Sequence, residues 1–123
     1  MSAAVPAGTA VGVSAELLDH LRAAALLQNA VADAVRDSDL TLDRWRCLAQ
    51  VGQRPGASMS DLTEALVMAP ATASRAVDAL VDRGFLYRGL DPADRRRVVL
   101  RVTGEGRQVL ADCEHRLPVV TGR

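Results

Sequence analysis

The sequence predicts a mainly α-helical domain with a small β-hairpin wing, a winged helix-turn-helix flanked by one helix on each side. Three observations carry this expectation. Several segments place apolar residues at helical spacing behind side chains suited to capping a helix. Residues 70–83 form a two-faced helix that follows a short helix and a tight turn. Residues 85–102 then read as a hairpin, with Phe85-Leu86-Tyr87-Arg88 on one side and Val98-Val99-Leu100-Arg101-Val102 on the other. Its turn, Asp91-Pro92-Ala93-Asp94, leads into three consecutive arginines, Arg95, Arg96 and Arg97.

Residues 1–13 are rich in Ala, Gly and Val and hold no basic stretch, so they are expected to be a disordered arm and not a signal peptide. One domain spans 14–123. Ser14 suits the N-cap of a long helix over 14–37, with Leu17, Leu21, Ala24, Leu27, Val31 and Val35 on one stripe. Leu18, Leu26 and Ala30 lie off that stripe, so the apolar surface is wider than one packing face needs. Either a second chain or the domain's own core accounts for it. A second helix starts after Thr41, turns Leu42, Trp45, Leu48 and Ala49 inward, and ends at Gln53-Arg54-Pro55-Gly56. Ser58 or Ser60 caps a short third helix bearing Leu62, Ala65 and Leu66. Pro70 fits the first turn of the fourth helix, where its missing N–H costs nothing. Ala73, Ala76, Val77 and Leu80 lie on one face of that helix, and Ala71, Arg75, Asp78 and Asp82 on the other. Gly84 suits a left-handed C-terminal cap. The last helix, 103–117, has Gly106, Val109, Leu110, Cys113 and Leu117 on its inner stripe, and Pro118 marks its stop.

Composition narrows the function. A chain of 123 residues holds one modest core. Its 49% hydrophobic content rests on Ala, Val and Leu, and one Trp, one Tyr and one Phe leave little surface for stacking single-stranded bases. Net charge is zero, but the charge is uneven. Residues 1–74 hold five Arg and eight acids, whereas residues 75–107 hold eight Arg and five acids. Every basic side chain is Arg; a GC-rich coding sequence explains that better than chemistry does. Cys47 and Cys113 have no partners at metal-ligand spacing and read as small buried hydrophobes in a reducing, cytoplasmic setting. No apolar run is long enough to cross a bilayer. His20 and His115 stand alone on exposed faces, with no phosphate-cradling loop and no carboxylate pair in a readable cleft. An enzyme is therefore not expected, nor are a cofactor or a bound metal.

The fourth helix and the hairpin tip carry the readable chemistry. A helix entering a major groove meets base edges with its N-terminal turns, which here present Thr72, Ser74 and Arg75. The small Pro70 and Ala71 allow close approach. Thr72 and Ser74 also suit an ordinary solvated helix start, and Arg75 could simply pair with Asp78 one turn on. At the hairpin tip, Asp94 can hold one neighbouring arginine and leave another to enter a narrow minor groove.

These segments resemble the MarR family of bacterial transcriptional regulators. The resemblance rests on Pro70-Ala-Thr-Ala-Ser-Arg-Ala-Val-Asp-Ala-Leu80, Arg83-Gly-Phe-Leu-Tyr-Arg88, Asp91-Pro-Ala-Asp-Arg-Arg96 and Thr103-Gly-Glu-Gly106, and extends over about 14–117. It implies a homodimeric repressor of a palindromic operator in double-stranded DNA, released by a small phenolic or lipophilic ligand or by an oxidant. By position it implies Thr72, Ser74 and Arg75 as major-groove readers and Arg95 as the minor-groove residue. Asp94 with Arg96 would brace the wing; the choice among Arg95, Arg96 and Arg97 is open by one position. It further implies 14–37 and 103–117 as dimerisation helices around a DNA-binding core at 41–102. Two departures stand out. Ala69 replaces a capping Ser before the proline, and the sequence ends at Arg123, before the further helix that family members usually carry. Either the chain dimerises through its first and last helices alone, or the sequence is cut short, or it depends on a partner. A winged helix that captures another protein is the alternative function. Leu27, Val31, Trp45, Leu48 and Val109 fit a ligand pocket or the core equally well, so no ligand residue is assigned.

Overall fold

A computed structural model describes residues 7–120, with side chains from residue 12 onward. The element order is α1 (Ala7–Arg36), α2 (Leu42–Gln53), α3 (Met59–Leu66), α4 (Pro70–Asp82), β1 (Leu86–Asp91), β2 (Asp94–Val102) and α5 (Gly104–Glu114). Oxygen-bearing side chains set three of the helix starts. Thr41 Oγ1 accepts from Arg44 N–H at 3.2 Å. Thr103 Oγ1 accepts from Gly106 N–H at 2.9 Å. Ser58, not Ser60, caps α3, through a reciprocal pair in which Asp61 N–H donates to Ser58 Oγ and Ser58 N–H to Asp61 Oδ2, both at 3.1 Å. α4 opens on Pro70 with no side-chain hydrogen bond from Ala69.

Two boundaries differ from expectation. α1 begins at Ala7, so residues 7–13 of the expected arm are helical, while residues 1–6 lie outside the described residues. Ala7, Ala10 and Ser14 extend a helix already nucleated downstream, and propagation needs no cap at Ser14. α5 is regular only to Glu114. Beyond it, Arg116 turns toward α1, its Nε donating to Ala34 O at 3.0 Å and its Nη2 to Ser38 Oγ at 2.8 Å.

The core lies among α2, α4, the hairpin base and the C-terminal end of α1. Val35, Leu48, Val51, Leu62, Val77, Leu80, Leu86 and Leu100 are almost completely buried. Each such side chain contributes about 1.5–3 kcal/mol relative to exposure. The hairpin is antiparallel, in register from Leu86↔Val102 to Leu90↔Val98, with a bulge between Leu90 and Asp91 and Pro92-Ala93 at the tip. Ala57, between α2 and α3, adds a bridge to the outer edge of β2: Leu100 N–H donates to Ala57 O at 2.8 Å. One bridging residue has no periodicity, so the sequence did not reveal it. The bridge binds the wing's base to the helical unit.

Of the left-handed residues Asp39, Gly56, Val67 and Gly84, the last two flank α4. Gly84 (φ 79°) follows α4 and lets Phe85 N–H reach Leu80 O at 2.9 Å, the closure expected of a C-terminal glycine. Val67 (φ 51°) joins α3 to α4 and is 91% exposed. A β-branched residue is strained there, and no packing offsets it. Val67→Asn is expected to stabilise the fold by about 1 kcal/mol, since Asn tolerates this conformation. A denaturant midpoint equal to or below the parent's would contradict a strained turn.

Candidate nucleic-acid interface

Packing decides which face of α4 is left to solvent. Ala73, Ala76, Val77 and Leu80 are buried against the core. Ala71, Ser74 and Arg75 are therefore exposed, and Thr72 is half-buried at the first turn. Arg75 makes no hydrogen bond or ion pair among the described residues. Its expected alternative partner is taken, because Asp78 Oδ1 accepts from Arg88 Nη2 at 2.6 Å. That pair ties α4 to β1 and leaves the Arg75 guanidinium to solvent.

At the wing tip, Asp91 Oδ1 accepts from Ala93 N–H at 2.9 Å and closes the turn. Asp94 Oδ1 accepts from both Arg96 N–H (3.1 Å) and Arg96 Nε (3.2 Å), yet the Arg96 side chain stays 91% exposed. Arg95 makes no hydrogen bond or ion pair among the described residues. Arg97, one of the three arginines among which the minor-groove residue was left open, is placed differently from its neighbours. Its Nη1 lies 3.3 Å from Asp91 Oδ2, and its Nη2 donates to Asp61 Oδ2. The physical reason is strand alternation: Arg97 shares a face with buried Val99, two residues on, and so is carried toward the start of α3. Sequence reasoning missed Asp61. The Ser58-x-x-Asp61 spacing of a capping box was the available signal.

The electrostatics follow from these pairings. Asp61 is held below the usual carboxylate range chiefly by its hydrogen bonds from Ser58, with Arg97 adding to the effect. Asp91 is likewise lowered, first by the Ala93 N–H and then by Arg97. Both remain ionised at neutral pH and lose these contributions only as pH falls below 3.8. Arg75, Arg95 and Arg101 have no carboxylate partner among the described residues, so α4 and the wing expose net positive charge.

Cys47 and Cys113 are both buried free thiols. Burial, aided by Asp43, pushes Cys47 up to about 11 against the opposing pull of Arg46, so it is a poor nucleophile at neutral pH. An open groove of about 800 Å³ between α2 and α5 is lined by Trp45, Gly52, Arg107, Leu110 and Leu117, among others. Of the five residues weighed for a pocket, only Trp45 lines this groove; Leu48 is core, Val31 and Val109 pack on the core, and Leu27 is exposed.

A family model described as the MarR family matches residues 40–98. The transcriptional regulator HosA of Escherichia coli O111:H- is 34% identical over 73 residues, which is 59% of this chain and 54% of HosA. The chain thus spans about half the length of that curated relative. Among solved structures, CouR from Rhodococcus jostii RHA1 bound to p-coumaroyl-CoA superposes with a TM-score of 0.72 at 27% identity, covering 77% of this chain and 67% of CouR. A cysteine-to-serine variant of MarR from Escherichia coli, complexed with operator DNA, gives a TM-score of 0.70 over 90% of this chain and 78% of that one. At 17% identity, that second likeness shows the fold alone. The family match lies on α2, α3, α4 and most of the hairpin, the elements that carry the exposed arginines, so this winged region matches the MarR family.

Proposed function

We propose that the chain is a sequence-specific regulator that binds double-stranded DNA as a homodimer, represses from a palindromic operator, and is released by a small effector. The observation that carries this reading is the pairing pattern. Arg75 on the outer face of α4 and Arg95 at the wing tip lack carboxylate partners among the described residues, although acids stand close in sequence to both. A helix and a hairpin presenting such guanidinium groups suit adjacent major and minor grooves. Thr72, Ser74 and the small Ala71 complete the helix contact, and Arg96, steadied by Asp94, accompanies Arg95. The exposed apolar residues of α1 support a second copy as partner. The groove between α2 and α5, largely apolar with Arg107 and Glu114 both at its side, supports a small lipophilic effector.

Selecting bound duplexes from a random pool tests the reading. The expected product is a palindrome with half-sites about one helical turn apart. Arg75→Ala should erode discrimination against random duplex by about tenfold, as loss of a base-edge contact does. Failure to enrich any sequence would refute sequence-specific recognition. Equal losses on selected and random duplex would make Arg75 a phosphate contact.

A further inference from the structure

The placement of Arg97 sets it apart from its two neighbours. Its guanidinium is bracketed by carboxylates from two different elements, Asp61 in the first turn of α3 and Asp91 at the end of β1. Each carboxylate is itself fixed by backbone. Asp61 exchanges hydrogen bonds with Ser58 in the capping box, and Asp91 accepts from Ala93 N–H in the wing turn. The Arg97 side chain is 39% exposed, against 91% for Arg96 one residue earlier. The hairpin needs such a tie. Below it, Leu100 is bridged to Ala57 and buried, but from Val98 outward the strands leave the core, and the bulge at Leu90/Asp91 breaks their register. Among the described residues, no other side-chain hydrogen bond or ion pair joins α3 to the outer half of the wing.

We infer that Arg97 is a positioning residue and not a nucleic-acid contact: with Asp61 and Asp91 it forms a clasp that fixes the angle of the wing relative to α3 and α4. This inference rests on the DNA-binding reading above and assigns the three tip arginines different work. Arg95 and Arg96 project from the wing, while Arg97 holds the wing where their projection is useful. A two-residue tip on a bulged hairpin would otherwise sample many directions, and ordering it would weaken binding. The clasp meets that ordering cost within the free protein.

Electrostatics alone and the clasp make opposite demands at Asp61. If Arg97 touched phosphate, Asp61→Asn would remove a competing negative charge and tighten duplex binding. If Arg97 positions the wing, Asp61→Asn weakens binding although the surface becomes more positive. We expect Arg97→Ala and Asp61→Asn each to weaken binding of the selected duplex by about tenfold, and the double variant to be no weaker than either. The salt dependence on random duplex should stay unchanged in Arg97→Ala, whereas a lost phosphate contact lowers the slope by about one. Amide hydrogen exchange of residues 92–96 in the DNA-free protein should speed up in both single variants, with unfolding midpoints near the parent's. Tighter binding by Asp61→Asn, or a reduced slope in Arg97→Ala, would overturn the assignment. Unchanged exchange at the wing tip would overturn the clasp itself. A parent protein that binds no duplex would instead refute the reading on which the inference rests, whatever the exchange shows.

Discussion

Gly106→Ala is expected to destabilise the fold by about 2–3 kcal/mol and to lower its thermal midpoint by about 10 °C. A Cβ at this position would sit 2.2 Å from Phe85 O and 2.7 Å from Val102 Cγ1. The nearer atom is backbone and cannot rotate away. Phe85 O accepts from Thr103 N–H at 3.0 Å, and Thr103 Oγ1 donates to Gly84 O at 2.6 Å while accepting from Gly106 N–H. The first turn of α5 is thereby pressed flat against the start of β1. A methyl group there must push the helix off the hairpin and open the Thr103 bonds. Gly104 is the control, since a Cβ there meets nothing within 4 Å. Gly104→Ala should be neutral or slightly stabilising. Equal midpoints for Gly106→Ala and the parent would mean that this close approach is absent in solution.

The second large effect concerns α1. Only its C-terminal end joins the core, through Val31 and Val35. Upstream, Leu17 is 60% exposed and Leu21 67%, and Val13, Leu18, Leu26 and Leu27 are exposed as well. The core alone therefore does not account for the broad apolar stripe, and a patch of this kind marks an association surface. Leu17 and Leu21 stand one turn apart on the same face. Introducing Leu17→Glu and Leu21→Glu together is expected to weaken self-association at least about a hundredfold, because two unpaired carboxylates would have to be buried. Light scattering at micromolar concentration should report a dimer for the parent and a monomer for the variant. Thermal unfolding of the winged region should change little. A parent that is already monomeric, or a variant that stays dimeric, would exclude α1 as the association surface.

Local chemistry was legible where one residue decides the outcome. Thr41 and Thr103 start helices because their hydroxyls accept from the first turn, Pro70 starts one because it lacks an N–H, and Gly84 ends one because it takes a positive φ. Strand alternation and the Asp91-Pro92-Ala93-Asp94 turn made the hairpin legible in the same way. What stayed hidden depends on partners remote in sequence. Arg97 turns toward a carboxylate 36 positions away, and Asp78 pairs with Arg88 across to β1 rather than with Arg75 one helical turn before it. Ala57 and Val67 give no compositional signal for a strand bridge or a left-handed turn. The candidate site was thus legible as a set of residues, while its division into unpaired, braced and clasped arginines came from tertiary structure.

The central claim is that unpaired guanidinium groups on α4 and the wing grip duplex DNA even though the protein as a whole is neutral. Its most direct test is the affinity of the intact chain for a double-stranded fragment, measured across salt concentrations. The expected result is a linear fall of log affinity with log salt, with the slope reduced by about one in Arg95→Ala. Affinity that ignores salt, or a slope unmoved by that substitution, would contradict the claim.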